Sequence, residues 1–159
     1  MPIAGNVNAD ALSEGENIVG GSLGLTLATW NNAATFSANF ERGFADDVIP
    51  GFNFGAGALV QYTNFSSFNS DFSVTGIAAQ GNLHYDLGPD SFQPYAGLLL
   101  GYNIFSADTD TYASSLGIGG QVGGRYYFSD DLAATLRLNS SSGGFGGYSV
   151  VSAGVDYKF

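Results

Sequence analysis

Apolar side chains fall at every second position of this chain, over segments too long for ordinary strands. The stretch "LGIGGQVGGRYYF" sets Leu116, Ile118, Val122, Tyr126 and Phe128 on one side. Gly117, Gly119, Gln121, Gly123 and Arg125 fall on the other. Successive side chains point to opposite faces only in an extended strand. Val19, Leu23, Leu25 and Leu27 repeat the pattern against Gly20, Ser22, Gly24 and Thr26. So do Leu132, Ala134, Leu136 and Leu138 against Thr135, Arg137 and Asn139. Helical periodicity is absent. Eight such segments are read, roughly Ile18 to Trp30, Thr35 to Phe44, Phe52 to Phe65, Phe72 to Leu87, Phe92 to Phe105, Ser115 to Phe128, Asp131 to Ser141, and Tyr148 to Phe159. Most run ~10–14 residues, against a usual strand of ~5–6 and the ~9–11 tilted residues that cross a membrane.

Acidic charge, Glu41 and Asp156 apart, avoids the middles of these segments. Charged residues make up 11% of the chain, under half of the roughly 25% of an ordinary soluble domain. Asp46, Asp47, Asp71, Asp86, Asp90, Asp108, Asp110, Asp130 and Asp131 fall in stretches that read as turns. The basic residues Arg42, Arg125, Arg137 and Lys158 do the reverse and sit inside alternating runs. The net charge of -10 argues against nucleic acid as a partner, because phosphate needs a basic surface. With no cysteine there is neither a disulfide nor a thiolate metal site. The 159 residues suffice for one domain. Residues 1–17 read as an arm, disordered or plugging, and 18–159 as the folded unit. The opening residues lack the basic end and apolar stretch of a signal peptide, so an exported protein beginning this way is a mature form with an added Met.

Two architectures give this alternation. A soluble barrel of the lipocalin kind, binding an apolar small ligand, turns the apolar face inward. A transmembrane barrel turns it outward, to lipid. The polar face here carries little charge and much glycine, which suits a crowded lumen better than a solvated exterior. Aromatics gather in two bands. Phe40, Phe44, Phe52, Phe54, Tyr126, Phe128, Tyr157 and Phe159 lie toward the short acidic turns, and Phe36, Tyr62, Tyr102 and Tyr148 toward the longer loops. Such girdles mark the two edges of a bilayer. The expected fold is therefore all-β: an eight-stranded antiparallel up-and-down transmembrane barrel.

On these features the chain resembles the small eight-stranded outer-membrane barrels of Gram-negative bacteria, the OmpA/OmpX type. Its ending adds a second likeness: Ser152, Gly154, Tyr157 and Phe159 resemble that family's assembly signal. The resemblance implies an outer-membrane location, with outer-membrane lipid and lipopolysaccharide as surroundings. It also implies recognition of the last strand by the barrel-assembly machinery, short turns in the periplasm, and a monomer.

Glu41, His84, Arg125, Arg137, Asp156 and Lys158 share the polar face, mostly near the turn side. Strands two and six of an eight-stranded barrel stand opposite each other, so Glu41 and Arg125 are expected to meet across the axis, with Arg137 joining them. Such a salt-bridge network either plugs and shapes the lumen or, by exchanging partners, gates a narrow path for small solutes. Arg42 has outward parity and is expected to reach headgroups or to sit at a bulge. The single histidine, His84, has no second histidine or visible nucleophile beside it, so no catalytic residues are assigned and no enzyme is expected; a lipid-modifying enzyme is the weaker alternative. Ser140 and Ser141 read as strand-end hydroxyls. Asp108 and Asp110 fall short of a cation-ligand set, and neither a metal nor a cofactor is expected. The many lumen glycines leave two outcomes open: a water-filled channel, or filling by Trp30, Leu59, Tyr95, Leu99 and Tyr127.

Overall fold

The computed structural model describes residues 11–27, 33–67, 70–87, 91–107, 110–142 and 148–159. Trp30, Asp90 and Asp108 lie outside them. Eight strands follow one another: β1 (Asn17–Leu27), β2 (Ala33–Ile49), β3 (Phe52–Ser67), β4 (Ser70–Tyr85), β5 (Phe92–Ala107), β6 (Asp110–Tyr127), β7 (Leu132–Ser142) and β8 (Tyr148–Lys158). Each pairs antiparallel with its neighbours, and β8 closes on β1. The backbone amides of Asn17 and Phe159 exchange hydrogen bonds at 2.8 Å, sealing the seam at the two termini. This is the expected closed, meandering barrel.

Several strands outrun their sequence-based bounds. "ADDVI" reads as an acidic turn, yet β2 continues to Ile49 through register shifts at Gly43/Ala45 and Ala45/Ile49. Asp47 sits there at φ 50°, and its carboxylate accepts the Gly51 amide at 2.8 Å. Bulges absorb the extra residues and twist the strand end. Likewise β6 begins at Asp110 rather than Ser115, with a shift opposite Asn103/Phe105. A ladder continues through polar residues wherever the neighbouring strand supplies partners, which composition does not register.

The apolar face points outward. Thirty large apolar side chains are exposed among the described residues, Leu23 at 63% and Leu98 at 68%. The buried set is polar: Thr35, Asn39, Glu41, Gln61, Gln80, Asn82, His84, Gln121, Arg125 and others. That arrangement is the reverse of a lipocalin-like barrel. Leu59, Tyr95, Leu99 and Tyr127 are buried among the polar groups, so four of the five expected fillers do fill the lumen.

Several lumen glycines make room for close neighbours. A Cβ on Gly57 would meet the Phe40 carbonyl, one on Gly154 the Gly21 carbonyl, and one on Gly20 the Asp156 carboxylate. On the outer face, the ring of Phe92 lies over Gly124 and that of Phe54 over Gly81, as aromatics cover strand glycines elsewhere.

Beyond Tyr62 the pattern inverts. Asn64 and Ser66 face out, whereas Val74 is buried and Phe65 half-buried on the inner side. The β3–β4 hairpin thus projects past the apolar band with polar residues outside, as a water-exposed sheet does. At the opposite, turn-side mouth, residues 11–16 fold inward. Ala11 and Leu12 are buried, the Leu12 carbonyl accepts the Asn53 side-chain amide at 3.3 Å, and Gly43 accepts from the Gly15 amide at 3.0 Å and donates to the Glu16 carbonyl at 2.9 Å.

Candidate functional site

Inward parity alone places Glu41 on β2, His84 on β4, Arg125 on β6 and Asp156 on β8 around one axis, because each alternates with an outward apolar residue. Gly55 makes space for the Glu41 carboxylate, and Gly20 for that of Asp156. Arg125 is fully buried and bridges them. Its Nε donates to Asp156 Oδ2 at 2.6 Å and its Nη2 to Glu41 Oε2 at 3.0 Å. The ring of Tyr95 faces its guanidinium, 4.6 Å from the centroid.

His84 completes the knot. Its Nε2 lies 2.6 Å from Glu41 Oε1, and its Nδ1 lies 3.3 Å from Arg125 Nη1. A guanidinium offers only hydrogens, so the pattern assigns a neutral imidazole that donates from Nε2 and accepts at Nδ1. Asn82 gives Glu41 a further donor at 2.9 Å, and Gln121 ties Asn82 to Gln80 at 2.6 and 3.0 Å. Toward the turn side, Lys158 Nζ pairs with Glu16 at 3.5 Å and lies 5.4 Å from the centre of the Tyr127 ring. Buried charges are tolerated when paired and hydrogen-bonded; here each charge has an opposite partner, and Asp156 Oδ1 alone of the carboxylate oxygens in the Arg125 cluster lacks a donor among the described residues.

The structure brings Glu41, His84, Arg125 and Asp156 together and holds Lys158 just below them. Arg137 departs from expectation. It pairs with Gly123 rather than Arg125 along β7, one step nearer the loops. Its Nε donates to the Tyr95 hydroxyl at 2.9 Å; the ring of Tyr95 passes over Gly123 to reach it. No carboxylate lies within ion-pairing distance of Arg137 among the described residues. Sequence reasoning also missed Glu16, Asn82, Gln93 and Gln121 as partners; for the three amides, their inward parity beside the charged positions was the available signal. Arg42 faces outward near the turn-side band. Of the proposed assembly signal, Ser152 and Gly154 face the lumen. Tyr157 and Phe159 are exposed outside, their rings stacked at 6.0 Å.

The fold and its inverted polarity define an eight-stranded barrel of the membrane-spanning class. Solved structures share it. Neisserial surface protein A matches with a TM-score of 0.64 at 20% identity, over 91% of this chain and 96% of that one. Ail, the attachment invasion locus protein of Yersinia pestis, matches with 0.65 at 11%, over 92% and 99%. The N-terminal barrel domain of Pseudomonas aeruginosa OprF matches with 0.64 at 13%, over 92% and 98%. No family profile and no curated protein matches the sequence.

Proposed function

We propose that this chain is a non-enzymatic outer-membrane barrel of a Gram-negative bacterium, a structural unit closed to solutes at rest. The observation that carries the reading is Arg125, bonded at once to β2 and β8 through Glu41 and Asp156. Residues 11–16 add a second barrier at the periplasmic mouth. The likeness to surface proteins of Gram-negative bacteria supports the location. Both nitrogens of His84 are committed to Glu41 and Arg125, which leaves neither for activating a nucleophile. Lipid and lipopolysaccharide are the partners of the apolar band. The exposed Tyr157 and Phe159 rings suit recognition by the assembly machinery. A closed sheet leaves no edge along the barrel for a second copy, so a monomer is expected.

A second reading is a gated pore. It is favoured by Glu41, which keeps Asn82 and His84 as donors if Arg125 swings away. Planar-bilayer recording separates the two. The wild type should show no conductance steps. Opening by Arg125→Ala would support the gate, and silence in every variant would leave the structural role alone. Sustained wild-type conductance would overturn the closed barrel. Loss of a lipid-hydrolysis signal in His84→Ala would overturn its non-enzymatic nature.

A further inference from the structure

The lumen cations are not equally served. Arg125 has Glu41 and Asp156, and Lys158 has Glu16. Arg137, 2% exposed, has among the described residues only the Tyr95 hydroxyl on its Nε, and its Nη1 finds no partner there. Its neighbours share the condition. Ser152, its cross-strand partner, and Thr135 and Asn139, two positions along the same face of β7, have the unpartnered atoms Oγ, Oγ1 and Nδ2. Buried polar atoms are normally satisfied; of the eleven exceptions among the described residues, four belong to Arg137, Thr135, Asn139 and Ser152. All four groups can donate. A donor-lined, uncompensated buried cation is an anion site by its chemistry.

The surroundings set the size and the route. A cavity of about 30 Å³ adjoins this wall, lined by Asn139 and Ser141 with Leu59, Leu99, Asn103 and Gly117, toward the loop side. That volume holds a body the size of one water or one halide, and of the four donors Asn139 lines it. Asp156 forms its ion pair with Arg125 and none with Arg137. It pairs with Ala133, four residues away along β7, roughly 13 Å at ~3.3 Å per residue. The acidic exterior opposes anions only at long range, and salt screens it beyond ~8 Å.

We propose that Arg137, with Thr135, Asn139 and Ser152, forms a lumen site for a small monovalent anion of the halide class, entered from the loop side. The site is independent of whether the barrel gates. Bromide is the probe. Crystals of the full chain grown or soaked in sodium bromide should show an anomalous peak within hydrogen-bonding reach of Arg137 Nη1. In detergent, the urea midpoint of the wild type should rise with sodium bromide relative to sodium gluconate at equal ionic strength, as ligand linkage requires. Arg137→Gln should lose that rise. Should Arg137→Gln not fold, Asn139→Leu, which blocks the cavity side, should reduce the rise instead. A wild type with no bromide peak at Arg137, or a rise that Arg137→Gln retains undiminished, overturns the site.

Discussion

Arg125 shows how one side chain holds a lumen together. A guanidinium presents five donors in a fixed fork. Here they reach Asp156, Glu41, His84 and Gln93 from a single stem. A lysine has one charged atom and cannot span β2 and β8 together. Removing the fork strands two buried carboxylates. Arg125→Met should therefore destabilise the barrel by about 3–5 kcal/mol, the range for breaking a buried pair, read from urea unfolding in lipid vesicles. A loss under ~1 kcal/mol is what an exposed pair gives and would mean that water already reaches the cluster. Parity in the sequence makes each of these charges inward-facing. The separate fate of Arg137 was not legible, because it depends on a ring from β5 crossing the glycine between them.

Strands of this barrel approach one another closely where glycine faces inward. A Cβ at Gly57 would press on the Phe40 carbonyl and, at 2.8 Å, on Glu41 Cα, both backbone atoms that cannot turn away. Gly21 faces out, and the first atom its Cβ would meet is the Ser37 carbonyl at 3.9 Å. Gly57→Ala should sharply reduce the folded, heat-modifiable band on gels, whereas Gly21→Ala should stay within ~0.5 kcal/mol of wild type. Equal effects would show that glycine serves strand flexibility rather than close packing. Element existence was readable from the alternation, and element length was not. The alternation of β2 fades in "ADDVI", yet bulges carry the strand on to Ile49. The residues that lengthen β6 at its start, from Asp110, are polar or small apart from Tyr112.

For the whole molecule, the decisive fact is the depth over which apolar residues face outward. Along β5 the band runs from Phe92 to Tyr102, about the ~9–11 tilted residues of a membrane crossing. Leu98 lies near its middle at 68% exposure and Tyr102 at its loop-side edge at 52%. Leu98→Arg should cost ~2–4 kcal/mol in a bilayer and Tyr102→Arg ~0–1 kcal/mol, measured by reversible unfolding in lipid vesicles. Similar costs at both depths would contradict a hydrocarbon slab around the barrel.

Period-two alternation determined by itself the strand count and the meander, and the sparse charge and abundant glycine of the polar face, with the two aromatic bands, pointed to the inside-out polarity, because each face of a strand has one solvent. The tertiary structure alone decided which charges touch, that Arg137 stands apart, and that residues 11–16 enter the mouth. Those outcomes depend on tilt, bulges and register, which set heights around the axis that no linear spacing encodes.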